Sequence, residues 1–527
     1  MPGSMGAVAC GHPETAAAAQ EILADGGNAY DAVIAAFCAA AVAEPVLCSL
    51  AGGGFLLAVP AEGRPQVYDF FVDTPLTDPG ALVRSGEMDF YPAIADFGTA
   101  TQEFHIGLGA AATPGAVAGI AAVHEDLARM PLARLIAPAA RLAREGATLR
   151  AVDAYLFSVV GPILTARADS RAVYTRPDGA LLGEGDCIVQ PDLAGTLEAL
   201  AAEGPRLFYE GEIGQGLVKA CREQGGLLTA GDLTGYRVER RQPLERRYRG
   251  ARIFTNPPPS TGGILIAFAL ALLDRHDLEA RQFGSEPHLS LLTRVMALTN
   301  RARLESGMPA DSGGEDQAAA RLLDRRLLER YEREVSGGIP SSRGTTHISV
   351  VDGDGNIASL TLSNGEGCGY VLPGTGVMVN NMLGEADLNP GGFHRWPTGR
   401  RLCSMMSPSV ARFTDGGVAA LGSGGSNRIR TAILQVLSNL IDFAMPVEEA
   451  VRAPRIHFED GELSLEAELD EDLAALISAA CAQQVTRTRN WPRHNLFFGG
   501  VHAVSRGADG GWQATGDPRR GGAALLM

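Results

Sequence analysis

Gly344-Thr345-Thr346-His347-Ile348-Ser349-Val350-Val351 is the stretch on which the rest of the chain turns. It alternates and is rich in β-branched residues, which predicts a strand starting at Thr345. Before it lies Ser336-Gly337-Gly338-Ile339-Pro340-Ser341-Ser342-Arg343, whose composition predicts an exposed loop. A threonine hydroxyl is a poor nucleophile at neutral pH and needs a base beside it. The free α-amine of the same residue is such a base, because its pKa lies near neutrality. Thr345 gains that amine only if the Gly344–Thr345 bond is cut. A glycine before the bond leaves its carbonyl open to attack and tolerates strained backbone angles. Thr345 is therefore a candidate catalytic nucleophile, with Gly344/Thr345 as the cleavage point. The same residues also read as the start of a purely structural strand, and the local pattern does not choose between the two.

Working outward, Thr345 to Val351 and Asn356 to Leu362 flank Asp352-Gly353-Asp354-Gly355, a turn that favours positive φ. This pattern predicts a hairpin. The Asp-x-Asp-Gly run is a turn rather than a calcium loop, since an EF-hand needs flanking helices and a distant glutamate. Further on, Gly422-Ser423-Gly424-Gly425-Ser426 offers consecutive glycine N–H groups. With no Cβ in the way, such groups can converge on one oxygen and form an oxyanion hole. A tight turn is the equal alternative. His347 is the histidine nearest the candidate nucleophile, and a structural role is expected for it. No Gly-x-Ser-x-Gly elbow is present, and the histidines do not cluster as metal ligands. No cofactor or metal is expected.

The chain has 527 residues, enough for a large core, and its 46% hydrophobic and 20% charged residues fit an ordinary globular protein. A formal charge of −16 argues against a nucleic-acid partner, for which a basic footprint is expected. Lys219 is the only lysine, which excludes a Walker-type phosphate loop and disfavours a Schiff base. Cys10, Cys38, Cys48, Cys187, Cys221, Cys368, Cys403 and Cys481 contain no Cys-x-x-Cys pair and read mostly as core thiols. Met1 to Gly6 lacks a basic start and an apolar core, so no signal peptide is expected. Ala32 to Ala43 is too short to span a bilayer. The expectation is a cytoplasmic protein without a membrane partner, or a periplasmic or secreted one if a leader was removed.

In chain order, Pro13 to Ala24 predicts a helix ended by Gly26-Gly27-Asn28, and Ala29 to Ala43 a buried helix closed before Pro45. Gly52-Gly53-Gly54 leads into a strand, where close backbone packing is the favoured reading. Gln66 to Val72 predicts another strand. After Ala112-Thr113-Pro114-Gly115-Ala116-Val117-Ala118-Gly119, alanine- and leucine-rich helices run to about Leu200. Pro257-Pro258-Pro259-Ser260-Thr261-Gly262-Gly263 predicts an irregular loop opening a buried helix, Ile264 to Leu273. Helical, charged sequence then runs from Pro287 to Glu334.

These runs resemble, in the same order, the motifs of the γ-glutamyltransferase (γ-glutamyl transpeptidase) family. The resemblance extends from Gly26-Gly27-Asn28-Ala29-Tyr30-Asp31-Ala32 to Gly516-Asp517-Pro518-Arg519. Between them lie Pro114-Gly115, Pro257 to Gly263, Thr345-Thr346-His347, Val377 to Asn381, Leu402 to Ser409, Gly422 to Ser426 and Ala453-Pro454-Arg455-Ile456-His457. The motifs at Ala453 and Gly516 read as structural. The resemblance implies an α/β fold, a four-layer αββα sandwich of the N-terminal-nucleophile hydrolase type. It implies a precursor that cuts itself into a large-subunit region, 1–344, and a small-subunit region, 345–527, that remain one interwoven body. A homodimer is allowed. Thr345 would attack an amide carbonyl, Gly424 and Gly425 would stabilise the oxyanion, and water or an amine would resolve the acyl-enzyme.

The acyl pocket departs from the family pattern. Ser363 stands for the threonine that supports the nucleophile. Gly365 stands where the family has asparagine. Met382 and Glu385 occupy the positions that bind the donor's α-amine, and only Glu385 can pair with an ammonium. Ser404 is kept where two serines touch the substrate carboxylate, and Met405 replaces the second. After Asp69-Phe70-Phe71-Val72-Asp73 no arginine appears before Arg84, although the family grips the carboxylate with an arginine from this segment. Three readings are consistent with this pocket. One is a hydrolase or transferase of γ-glutamyl compounds such as glutathione. Another is an amidohydrolase of other acyl groups, like the cephalosporin acylases. The third is a relative that does not process and only binds ligand.

Overall fold

The computed structural model describes residues 6–97, 101–306, 321–323, 331, 345–389, 391–466 and 471–527. Gly344 and the loop 336–343 lie outside them. Two antiparallel sheets form the centre. In the seven-stranded sheet the order is Ala523–Leu526, Gly6–Cys10, Thr346–Asp352, Ile357–Ser363, Gly53–Val59, Gln66–Phe70 and Glu239–Arg241. In the six-stranded sheet it is Trp512–Thr515, Gly500–Arg506, Val418–Gly424, Ser409–Arg412, Ala251–Thr255 and Leu244–Tyr248. Strands from before and after position 344 interleave in the seven-stranded sheet and adjoin in the six-stranded one, where Ala251–Thr255 pairs with Ser409–Arg412. The hairpin expected around Asp352 sits mid-sheet, with His347 opposite Thr361 and Cys10 opposite Ile348.

Strand alternation distributes the side chains of Thr346–Asp352 between two different cores. Ile348 and Val350 join the cluster made with helices Pro13–Ala24 and Ala29–Ala43, and Val351 joins the cluster shared with the six-stranded sheet. His347 and Ser349 face that second sheet: Ser349 donates to the His502 carbonyl at 3.3 Å, and Ser359 to that of Leu421 at 3.2 Å. Helices Thr261–Leu273 and Arg428–Ile441 pack together, the latter also against Val418–Gly424, on the side away from the first sheet. Helix Ala29–Ala43 is buried on every side, which explains its run of alanine and valine. Asn28 caps it with a reciprocal box to Asp31, and Gly26 at φ 91° ends the helix before it.

The glycine run Gly52-Gly53-Gly54 is close backbone packing, with Gly53 against Phe70 and Gly54 against the neighbouring strand at Thr361. Some element ends differ from expectation. The strand from Gln66 stops at Phe70, because Phe71 and Asp73 turn to meet other segments. The helix expected from Ile264 starts at Thr261, whose N–H donates to the Ser404 carbonyl at 2.9 Å. Within the motif Val377 to Asn381 only Val377–Met378 is a strand. Asn380 instead uses its side chain, donating to the carbonyls of Ala51 and Ala112 at 2.9 Å each. Of the helical sequence from Pro287, Glu286–Ser306 is one helix, and most of the sequence from 307 to 334 lies outside the described residues.

Candidate active site

One cleft collects residues that are far apart in the sequence. Thr345, Ser363, Met382, Glu385, Ser404 and Met405 all line it. Phe71, Arg303, Asp387, Cys403, Ser426 and Asn427 complete much of the wall.

The side that carries Thr345 is built on the strand hairpin. Thr345 is buried at the head of Thr346–Asp352, and Ser363 ends the returning strand. Ser363 Oγ accepts from the Gly365 N–H at 3.0 Å. Gly424 reaches the site from behind: a Cβ there would collide with the Thr345 carbonyl oxygen. Gly425, at φ 120°, makes the turn into helix Arg428–Ile441, whose first N–H bonds back to the Gly425 carbonyl at 3.1 Å. This is a strand-to-helix turn at the positive end of a helix dipole.

Two residues behind Thr345 were not legible as site residues. Arg520 is buried and donates to the Thr345 carbonyl at 3.2 Å; burial pushes its guanidinium down to about 10. Glu44 accepts from Thr346 at 2.7 Å and from Thr15 at 3.0 Å, and burial raises its carboxyl. Both contacts span long sequence separations, so no local pattern announces them.

His347 is a structural residue. Its Nδ1 lies 2.8 Å from Thr361 Oγ and its Nε2 2.9 Å from Ser349 Oγ. Ser349 spends its proton on the His502 carbonyl, so Nε2 carries the imidazole hydrogen and Nδ1 accepts. Burial lowers the His347 pKa well below the ordinary histidine value, with His502 adding to it.

The facing side is a tight turn, Met382–Gly384, leading to Glu385. Asn389 holds this turn through the carbonyls of Met382, Leu383 and Glu385, at 3.0, 3.2 and 2.8 Å. Gly365, at φ 64°, lies so close that a Cβ would collide with Asn381 Oδ1 and Glu385 Oε1. Across the cleft, the Ser404–Met406 segment rests on the N-terminus of helix Thr261–Leu273. Ser260 donates to the Ser404 and Met406 carbonyls at 3.0 Å each. The proline-rich loop thus serves as the seat of the Ser404–Met405 wall. Ser404 Oγ accepts from the Met406 N–H at 3.1 Å.

Arg84 is exposed on the short helix Gly80–Ser85 and does not line the cleft. Beside the strand end at Phe70, Arg401 pairs with Asp69 at 2.6 Å and Asp73 at 2.7 Å, under the ring of Tyr236. The two motifs read as structural meet in one buried ion network. Arg455 pairs with Asp517 at 2.7 Å, and Arg519 with Asp517 at 3.2 Å and with Glu466. Burial alone would raise the Asp517 carboxyl, but Arg455 and Arg519 hold it well below the usual carboxylate range. Among the described residues no group of three or more His, Cys, Asp or Glu could hold a metal ion, and no helix is long and apolar enough to cross a membrane.

The family model for gamma-glutamyltranspeptidase matches residues 15–527. The chain belongs to the γ-glutamyltranspeptidase family. Among the relatives of this γ-glutamyltranspeptidase-family chain, the acylase ACY 1 proenzyme of Pseudomonas sp. (strain V22) is 35% identical, over 98% of this chain and 93% of the relative. The glutathione hydrolase proenzyme of Escherichia coli (strain K12) is 30% identical, over 95% of this chain and 88% of the relative. The cephalosporin acylase structure from Bacillus halodurans superimposes with a TM-score of 0.84 at 25% identity, covering 99% of this chain and 96% of that one. The chain is accordingly an enzyme of this hydrolase/transferase type, with acylases and glutathione hydrolases both among its relatives.

Proposed function

We propose that the chain is a self-processing amide hydrolase whose nucleophile is Thr345, freed by cleavage after Gly344. The observation that carries this is the convergence of Thr345, Ser363 and the Met382–Glu385 and Ser404–Met405 walls on one cleft, with Gly424 against the Thr345 carbonyl. After cleavage, the Thr345 α-amine takes the hydroxyl proton as Oγ attacks the amide carbonyl. The N–H groups of Gly424 and Gly425 bind the oxyanion. The leaving amine takes a proton, and water then attacks the acyl-enzyme to release the acid. Ser363 orients the nucleophile, and Arg520 and Glu44 fix the backbone and side chain beside the cut. A four-layer αββα order is supported by helices packed outside both sheets. Division at 344/345 into two interwoven fragments is supported by the interleaved strands and by the proenzyme names of the relatives.

The acyl group is the acylase type rather than γ-glutamyl. Met382 and Met405 replace polar groups in the walls, and no arginine reaches the cleft from the segment after Phe70. Glu385, still in the cleft, favours the second reading, a hydrolase or transferase of γ-glutamyl compounds. Parallel kcat/KM measurements on γ-glutamyl-anilide and on plain acyl-anilides, with Thr345→Ala as the blank, separate the two. Acyl-anilides are expected to be preferred; preference for the γ-glutamyl compound would reverse the assignment. Turnover of either by Thr345→Ala at the wild-type rate would remove Thr345 from the mechanism.

A further inference from the structure

Arg520 ends the short turn Pro518–Arg520, just before strand Ala523–Leu526. Its stem lies on Gly500, where a Cβ would collide with Arg520 Cδ, so the glycine lets the side chain through. The guanidinium ends behind Thr345. Nη1 donates to the Thr345 carbonyl at 3.2 Å, and Cβ atoms on Gly424 and Gly425 would lie 3.2 and 3.5 Å from Nη1 and Nη2. The side chain is buried, and its Nε meets no acceptor among the described residues. Glu366, Asp517 and Glu44 act on its charge but do not offset burial, which pushes it down to about 10, so it is still a cation at neutral pH. Asp517 is already committed to Arg455 and Arg519, and burial raises the Glu44 carboxyl itself.

We infer that Arg520 is a positioning residue that keeps the α-amine of the freed Thr345 unprotonated, and so able to act as base, at neutral pH. This rests on the proposed self-processing amide-hydrolase reading. An ordinary α-amine, at about 7.7–8.0, is mostly ammonium at pH 7, and an ammonium takes no proton from the hydroxyl. The nitrogen and carbonyl oxygen of one residue lie about 3–4 Å apart, which puts the guanidinium about 5–7 Å from the amine. A cation at that range disfavours a second one, by about one pH unit at the dielectric of a protein interior. Other charges face the amine as well. Glu385 and Asp387, across the cleft, favour the ammonium, and Arg303 in the same cleft opposes them. Glu44 reaches the strand only through the Thr346 hydroxyl. His347 and His502 are held neutral by burial. Arg520 differs from all of these in being bonded to Thr345 itself.

The test follows the acid limb of log kcat/KM against pH for the wild type, Arg520→Gln and Arg520→Met, on the anilide that the wild type turns over best. That limb reports the pKa of the free enzyme's base. The wild-type midpoint is expected about one pH unit below the ordinary α-amine value, and both neutral variants should raise it by about one unit. Glutamine keeps a donor for the Thr345 carbonyl and methionine does not, so equal shifts identify the charge. A shift in Arg520→Met alone would identify the hydrogen bond and overturn the inference. Rates that fall at every pH with an unmoved midpoint, as a merely structural role predicts, overturn it too. Acetylation by acetic anhydride across pH reads the same midpoint without substrate. Lys219 is the only lysine, so the one amino group of fragment 345–527 is the Thr345 amine, and hydroxylamine-stable mass added to that fragment counts it. A wild-type midpoint at or above the ordinary value overturns the inference even if neither variant folds. A lowered midpoint that rises in the variants, in a protein that cuts no anilide, would support Arg520 and overturn the hydrolase reading instead. A wild-type chain that is never cut removes both, whereas a cut chain whose midpoint ignores Arg520 removes this inference alone.

Discussion

The two walls of the cleft are built differently. The wall that carries Thr345 is a mid-sheet hairpin, locked from both faces: Thr346 bonds to Glu44 on the helix side, and Ser349, held by His347, bonds to the second sheet on the other. The recognition wall is made of turns, Met382–Gly384 and Ser404–Met406, held by single side chains such as Asn389 and Ser260. The first wall carries a hydroxyl at both proposed reaction positions, Thr345 and Ser363. The second has exchanged polar groups for Met382, Met405 and Gly365. The contrast teaches that side chains on a ladder-bound strand are fixed by the sheet's register, whereas neighbouring turns carry no such register and can be rebuilt, which is why the proposed change of acyl group falls on the turns.

The largest effect that would sharpen this contrast is expected from Thr345→Ala. It should lower kcat by about 10⁴-fold or more, as expected for removal of a nucleophile. It should also leave one full-length chain on a denaturing gel. Near-normal turnover would break the division of roles.

Gly424→Ala should cost about 10²- to 10³-fold in kcat, the scale of a lost oxyanion contact. The added Cβ would run into the Thr345 carbonyl. Circular dichroism separates this from unfolding, and a fully active variant would show that Gly424 is a turn and nothing more.

On the recognition wall, Gly365→Asn restores the residue type of the family yet should not restore γ-glutamyl turnover. Asparagine tolerates φ 64°, but its Cβ meets Asn381 and Glu385, so a loss of about 2–4 kcal/mol in unfolding stability is expected. Met405→Ser is gentler. It should raise the ratio of γ-glutamyl-anilide to acyl-anilide turnover by about 10-fold, the worth of one hydrogen bond to a charged group. No change in the ratio would mean that Met405 does not face the acyl group.

The smallest effect is on pH. His347 is held neutral by burial, and His502 is pushed down by burial to about 4. Below the ordinary histidine value the unfolded chain takes up protons that the folded one refuses, so stability falls as pH drops from about 6.5 toward 4. Each histidine contributes up to about 1.4 kcal/mol per pH unit in that window. Because both lie behind the nucleophile strand, replacing His502 with glutamine should flatten the slope of melting temperature against pH. An unchanged slope would place the acid sensitivity elsewhere.

Much of the fold was legible because its signals are local. Helix ends at Gly26 and Asn28, the turn at Asp352–Gly355 and the alternation after Thr345 each follow from neighbouring residues. Met382, Glu385, Ser404 and Met405 were found because they sit at fixed offsets from motif residues, and all line the cleft. Arg303 was missed because its helix ends well before Thr345 in the chain and its direction depends on how that helix packs. Glu44 and Arg520 were missed for the same reason: their partners are a strand start, 302 and 175 residues away. Asn380, a motif residue, holds two carbonyls with its side chain, since the ladder has already ended at Met378.

The central claim is that Thr345 becomes an N-terminal nucleophile. The denaturing intact mass of freshly purified protein tests it most directly. Two species whose masses meet at Gly344/Thr345 are predicted for the wild type, and a single full-length species for Thr345→Ala. A wild-type chain that stays at full length over days would contradict the claim, since Thr345 would then lack the amine on which its chemistry depends.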